Sequence, residues 1–216
     1  MMRKLTLIGI MAFALLSSCT SKSNRLPILG SKNPVTKTVD GKQVTDTTYA
    51  TIPDFKFVNQ YGDTITAKNL DGKIYVADFF FTTCPSICPL MHRNMLNVYK
   101  EFKDDNNFRI LSHTIDPKYD TVPVLKRYAD KMGIAGNSWW LLHGNKGDTY
   151  GIAKSYLQSV QERNPAGQYI HDGFFILIDK QKRIRGTYEG TDPKEVDKLI
   201  ADIKTLKAEP EQVAAK

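Results

Sequence analysis

Lys73 to Pro89, KIYVADFFFTTCPSICP, is the stretch that decides the fold. Its first part, Lys73 to Phe81, is an almost unbroken apolar run, the pattern of a central strand covered on both faces. Its last part places two cysteines where the next helix begins. Pro89 suits the first helical position, because the amide it lacks would have no partner there, and its ring disfavours helical geometry at Cys88. Cys88 is therefore expected at the helix mouth, with the helix running from about Pro89 to Phe102. Free amides and the helix dipole favour negative charge there, so both sulfurs are expected to be wholly or partly thiolate near neutral pH. Three residues separate Cys84 from Cys88, which places the sulfurs on one side of a turn. They can close a disulfide or clasp one ion. Packing alone requires no prolines around such a pair.

Outward from this junction the chain alternates strands and helices. Towards the N-terminus, Phe55 to Gln60 and Thr64 to Thr66 read as a hairpin turned at Gly62-Asp63. Towards the C-terminus come a strand from Phe108 to Ile115, a helix from Val122 to Met132, a strand from Trp139 to Leu142 and a short helix from Asp148 to Ser155. Phe174 to Asp179 and Ile184 to Tyr188 make a terminal hairpin turned at Lys180-Gln181-Lys182, followed by a helix from Pro193 to Leu206. These elements predict an α/β fold, a mixed central sheet flanked by helices, with an added N-terminal hairpin around Asp40-Gly41. A cysteine pair just past the first central strand makes the arrangement thioredoxin-like, and reactive groups in such sheets gather at the carboxyl ends of strands.

The 216 residues carry 30 Lys and Arg against 23 Asp and Glu, a formal charge of +7. Basic and acidic residues alternate, with no run of five or six positive charges, so no nucleic-acid partner is expected. Arg3-Lys4 followed by the uncharged run Leu5 to Leu16 is too short for a stable transmembrane helix and reads as a secretory signal. It ends in Leu16-Ser17-Ser18-Cys19, which resembles a bacterial lipobox. Residues 1–18 are thus expected to be removed, and Cys19 to carry lipid that holds the protein at a membrane in the cell envelope, outside the cytoplasm. Residues 19–51, rich in Ser, Lys, Asn, Thr and Pro, read as a tether and edge segment, 52–206 as the folded domain and 207–216 as a flexible tail.

Thioredoxin-like reductases usually have two residues between their cysteines and a cis-proline in the loop before the terminal hairpin. Here three residues intervene, and the corresponding loop, Gln168 to Gly173, has no proline and offers His171. Two thiolates and an imidazole suit copper, as Cu(I) in a three-coordinate site or as Cu(II) with an additional weak ligand. Zinc more often takes a fourth protein ligand.

Taken together, these features resemble the Sco/SenC proteins, copper-binding thioredoxin-fold assembly factors of cytochrome c oxidase. The likeness runs from about Ile52 to Ile203. Cys84-Pro85-Ser86-Ile87-Cys88-Pro89 matches the family's Cys-Pro-x-x-x-Cys-Pro pattern. Thr114-Ile115-Asp116-Pro117 through Asp120-Thr121 matches a second segment, and His171 stands at the distal histidine. The resemblance implies that Cys84, Cys88 and His171 are copper ligands and that the protein is a copper metallochaperone for the dinuclear copper site of a terminal oxidase, with a copper-accepting oxidase subunit as its partner. Asp172 stands where the family commonly has a small hydroxyl residue.

Among other candidates, His92 follows Cys88 by four, but a helix starting at Pro89 leaves it exposed in the first turn. His113 and His143 read as structural. Asp120 reads as structural too, while Asp116 and Asp172 are candidates for orienting a ligand from outside the coordination sphere. The rival reading is an enzyme, a thiol-disulfide reductase in which Cys84 attacks and Cys88 resolves, recharged by a thioredoxin-like reductant. A peroxidase of the peroxiredoxin type is disfavoured, because Phe81 occupies the position where that family places Thr.

Overall fold

The computed structural model describes residues 25–161 and 169–210. At its centre is a five-stranded mixed sheet whose strands lie in the order Ile184–Glu189, Phe174–Ile178, Ile74–Phe80, Phe108–Thr114 and Trp139–Leu142. Strand β5 (Ile74–Phe80) is buried along its whole length, as its apolar run requires. It pairs in parallel with β6 (Phe108–Thr114), and β6 in parallel with β7 (Trp139–Leu142). On its other side β5 pairs antiparallel with β10 (Phe174–Ile178), which turns back into β11 (Ile184–Glu189). The four helices α1 (Cys88–Phe102), α2 (Val122–Met132), α3 (Lys146–Ser155) and α4 (Pro193–Ala208) cover the sheet.

Topology alone fixes which end holds the chemistry. Strands β5, β6 and β7 all rise towards the loop that carries the cysteines, and β10 descends from the loop that carries His171. Each helix begins at that end and closes at the other. Gly133, in the left-handed region at φ 72°, ends α2 where a Cβ would be strained.

Two short hairpins frame the sheet. Strands β3 (Lys56–Val58) and β4 (Thr64–Thr66) pair around the Gly62 turn, and β1 (Lys32–Val39) and β2 (Lys42–Tyr49) form an exposed ribbon whose turn is Asp40-Gly41. Two short pieces escape the sequence pattern. One is a 3₁₀ turn at Ala67–Leu70, the other a two-residue ladder between β8 (Val160–Gln161) and β9 (Ile170–His171). Neither is long enough to show periodicity.

The chain is already part of the fold upstream of Ile52. Leu26 and Leu29 pack against the core, and the Leu29 amide donates to the Ile184 carbonyl at 2.8 Å. The Arg185 guanidinium, 4% exposed, donates to the carbonyls of Leu26 and Pro27 and to the carboxylates of Asp179 and Glu209. Helix α4 runs two residues past Leu206, and Glu209 closes this clamp. Composition missed the attachment because it uses main-chain carbonyls, which carry no residue signature. Cys19, the signal segment and residues 211–216 lie outside the described residues.

Candidate metal centre

Three side chains converge at the upper end of the sheet. One ligand atom each from Cys84, Cys88 and His171 lies within 4.8 Å of the others. The cysteines are free thiols, 8% and 1% exposed, and His171 sits half-buried above them. Cys84 lies on the loop leaving β5, held by its amide to the Phe81 carbonyl at 3.2 Å. Cys88 opens α1, one residue earlier than Pro89 suggests, with Ile87 as N-cap. His171 arrives from β9, and its Nε2 stands 3.3 Å from Cys88 Sγ.

The imidazole is aimed by its neighbour. His171 Nδ1 donates to the Asp172 carbonyl at 3.0 Å, which leaves Nε2 to face the sulfurs. The Asp172 carboxylate points away, accepting from the Ser159 amide at 2.6 Å, while its own amide donates back to the Ser159 carbonyl. Asp172 therefore acts on His171 through its main chain, and its carboxylate fastens the loop. Phe81 lies edge-on to the imidazole and packs against Tyr169.

The two thiols are electrostatically unequal. The hydrogen bond from Cys88 holds Cys84 down to about 3 against burial, helped by His171 and the amides of Cys88 and Ser86. Cys88 is driven up by that same sharing and by burial. The contact therefore favours negative charge on Cys84 over Cys88. The expectation that both sulfurs are wholly or partly thiolate agrees with the lowered Cys84 and not with the raised Cys88, because two anions in contact repel more than the helix amides attract.

Asp120 fixes the cysteine loop from below. Its carboxylate accepts from the Thr82 amide at 3.0 Å, from the Thr82 hydroxyl, and from the Thr114 hydroxyl at 2.5 Å. Desolvation raises its pKa, which these donors oppose. Asp116 joins this hub through its main chain, its carbonyl accepting from the Asp120 amide at 2.9 Å. His143 Nδ1 donates to the Asp120 carbonyl at 3.0 Å. His113 is fully buried among Phe57, Phe79 and Tyr156.

The helix bearing Cys88 and the loop bearing His171 meet at one peptide. The Gly190 amide donates to the Gly173 carbonyl at 2.7 Å, and the following carbonyl of Gly190 accepts from Asn94 Nδ2 at 2.9 Å. A Cβ at Gly190 would come within 2.8 Å of the Gly173 oxygen and 2.9 Å of the Phe175 ring.

His92 is not exposed. It is 2% accessible, with Nε2 3.3 Å from Asp78 Oδ2 and Nδ1 2.9 Å from the Tyr128 hydroxyl. Asp78 also accepts from Ser112, which in turn accepts from Trp139 Nε1 at 2.9 Å. A start at Cys88 turns His92 inward against β5, away from the three ligand atoms. The signal that could have found this network was Asp78 itself, a lone carboxylate inside an apolar strand, where burial demands partners.

A family model described as SCO1/SenC matches residues 43–208. The SCO1 protein homolog of Bacillus subtilis (strain 168) is 30% identical over 168 residues, which is 76% of this chain and 87% of the relative. A SCO1/SenC family lipoprotein from Bacillus anthracis str. Ames superposes with a TM-score of 0.67 at 32% identity, covering 73% of this chain and 95% of that one. BsSco, described as a member of the Sco family of cytochrome c oxidase assembly proteins and as having a disulfide switch, superposes with a TM-score of 0.65 at 27% identity, covering 74% and 95%.

Proposed function

The chain belongs to the SCO1/SenC family, and from that membership we propose that it carries copper on Cys84, Cys88 and His171 to the dinuclear copper site of a terminal oxidase. In this reading it works outside the cytoplasm of a bacterial cell, tethered to a membrane by lipid on Cys19. The observation that carries the proposal is the convergence of two sulfurs and one imidazole nitrogen within 4.8 Å, from segments more than 80 residues apart. The donor set is soft and three-membered, which fits Cu(I), and its imidazole also serves Cu(II). Among the described residues no fourth protein ligand joins the cluster, which is less suited to structural zinc.

The chain's own groups define the exchange. Cys84 presents a thiolate, Cys88 gives up its proton on binding, and His171 Nε2 supplies the third donor. His171 is the most exposed of the three and sits on the two-residue strand β9, so it is the ligand that a client thiolate displaces first. The BsSco likeness supports the oxidase as destination, and the lipoprotein likeness supports the anchor.

The test is His171→Ala in the mature protein. Copper retention after desalting, read by metal analysis and absorption spectra, falls sharply, while both thiols still titrate and still form a disulfide. Retention equal to that of the unmodified protein overturns the assignment.

The unequal thiols favour a second activity at the same site, thiol-disulfide exchange. Cys84 Sγ attacks a client disulfide, forming a mixed disulfide and releasing one client thiolate. Cys88, its proton passing to His171 Nε2, then attacks Cys84 Sγ and releases the second. The Cys84–Cys88 disulfide is returned to two thiols by a thioredoxin-like dithiol, which is itself oxidised.

A further inference from the structure

Charge is distributed unevenly along the sheet axis. The end opposite the cysteines collects exposed lysines: Lys100 and Lys103 at the close of α1, Lys131 at that of α2, Lys154 at that of α3, and Lys204 and Lys207 at that of α4. Acids are present there too. Glu101 pairs with Lys204, Asp105 with Lys207 and Asp130 with Lys126. Lys100, Lys103, Lys131 and Lys154 make no ion pair among the described residues, so the end remains positive. The end holding Cys84, Cys88 and His171 carries Asp148, Asp172, Glu189, Asp192 and Glu195 with Arg93, Lys118, Lys146 and Lys194 among them, and is close to balanced.

Helix dipoles account for part of this, since cations favour helix ends and acids helix starts. They do not account for where the chain enters. Leu26, Pro27 and Leu29 are fastened by Arg185 and Ile184 at the lysine end, and Arg25 stands exposed beside them. Six residue steps separate Cys19 from Arg25, a reach of at most about 20 Å. A domain of this size is roughly 40 Å across. A lipid on Cys19 therefore brings the lysine end, and not the cysteine end, to the bilayer.

We propose that the lysine end rests on an anionic lipid surface and holds the three ligand side chains on the far side of the domain, facing away from the membrane. The seven residues of β5 alone raise the site by about 23 Å. Each lysine at an anionic surface strengthens the contact by roughly fivefold, and salt screens it.

The inference rests on the lipid anchor proposed above, and the experiment separates the two. The mature full-length protein is placed in phosphatidylcholine vesicles with or without phosphatidylglycerol, pulsed with a water-soluble acylating reagent, and each lysine is quantified by peptide mass. Lipid on Cys19 is read from the mass of the N-terminal peptide in the same digest. In the anionic vesicles acylation of Lys100, Lys103, Lys204 and Lys207 falls several-fold and recovers in high salt, while Lys56, Lys118 and Lys194 are unchanged. The quadruple variant Lys100→Glu, Lys103→Glu, Lys131→Glu, Lys154→Glu, all exposed positions, loses that protection at Lys204 and Lys207 and keeps both thiols titratable. Equal labelling of the two ends overturns the orientation whether or not Cys19 carries lipid. Protection of the lysine end without lipid on Cys19 removes the anchor and keeps the surface.

Discussion

Replacing His113 with Phe should make the protein less sensitive to acid. His113 is wholly buried, its ring stacked on Phe79 at 5.2 Å and edge-on to Phe57 at 4.8 Å. Neither ring nitrogen has a hydrogen-bond partner among the described residues. Burial pushes its pKa from 6.5 down to about 3, slightly opposed by the charge of Asp78. The folded state therefore keeps this ring neutral at pH values where the unfolded chain protonates it. Stability is fully present above about pH 6.5 and is lost as the pH falls, by about 1.4 kcal/mol per unit, until the folded value near 3 is reached. Between pH 7 and pH 5 the loss from this group is about 2 kcal/mol. A phenyl ring of similar size has no proton to bind and no orphan nitrogens, so His113→Phe is at least as stable at pH 7. At pH 5 its advantage over the unmodified protein grows by about 2 kcal/mol. Urea unfolding at both pH values, followed by the fluorescence of the buried Trp139 and Trp140, measures the difference, and every other titrating group cancels in it. Parallel stability curves for the two proteins would refute the account of His113.

The thiols give a second expectation: alkylation at pH 5 modifies Cys84 well before Cys88, because the Cys84 thiolate survives there, and Cys88→Ser moves Cys84 reactivity up towards the ordinary thiol range, read by peptide mapping. Asp120→Ala removes the acceptor of the Thr82 amide and hydroxyl and of the Thr114 hydroxyl. It should cost about 2–4 kcal/mol in urea unfolding and loosen the cysteine loop, seen as faster alkylation of Cys88. Arg185→Ala leaves Glu209 without its cation and Asp179 with Arg183 alone, and frees Leu26 and Pro27. The expected loss is about 3–5 kcal/mol, with faster tryptic cleavage after Arg25.

The apolar run of β5, the paired prolines and the turn residues made most elements readable, because each is a local pattern. Cys84, Cys88 and His171 were readable as well, since few residue types bind soft metals. What escaped was set by distant partners. His92 faces inward because Asp78 and Tyr128 wait for it across the sheet and α2. The short ladder of β8 and β9 exists because Asp172 and Ser159 exchange hydrogen bonds. The proton imbalance between the thiols depends on a contact that spacing alone leaves open.

Gly190 gives the centre its gauge. One side of its peptide grips the loop with the nitrogen donor and the other grips the helix with a sulfur donor, so the two jaws share a single hinge pin. A lone methyl group there would act as a wedge, widening the bite from below without altering any atom that touches cargo.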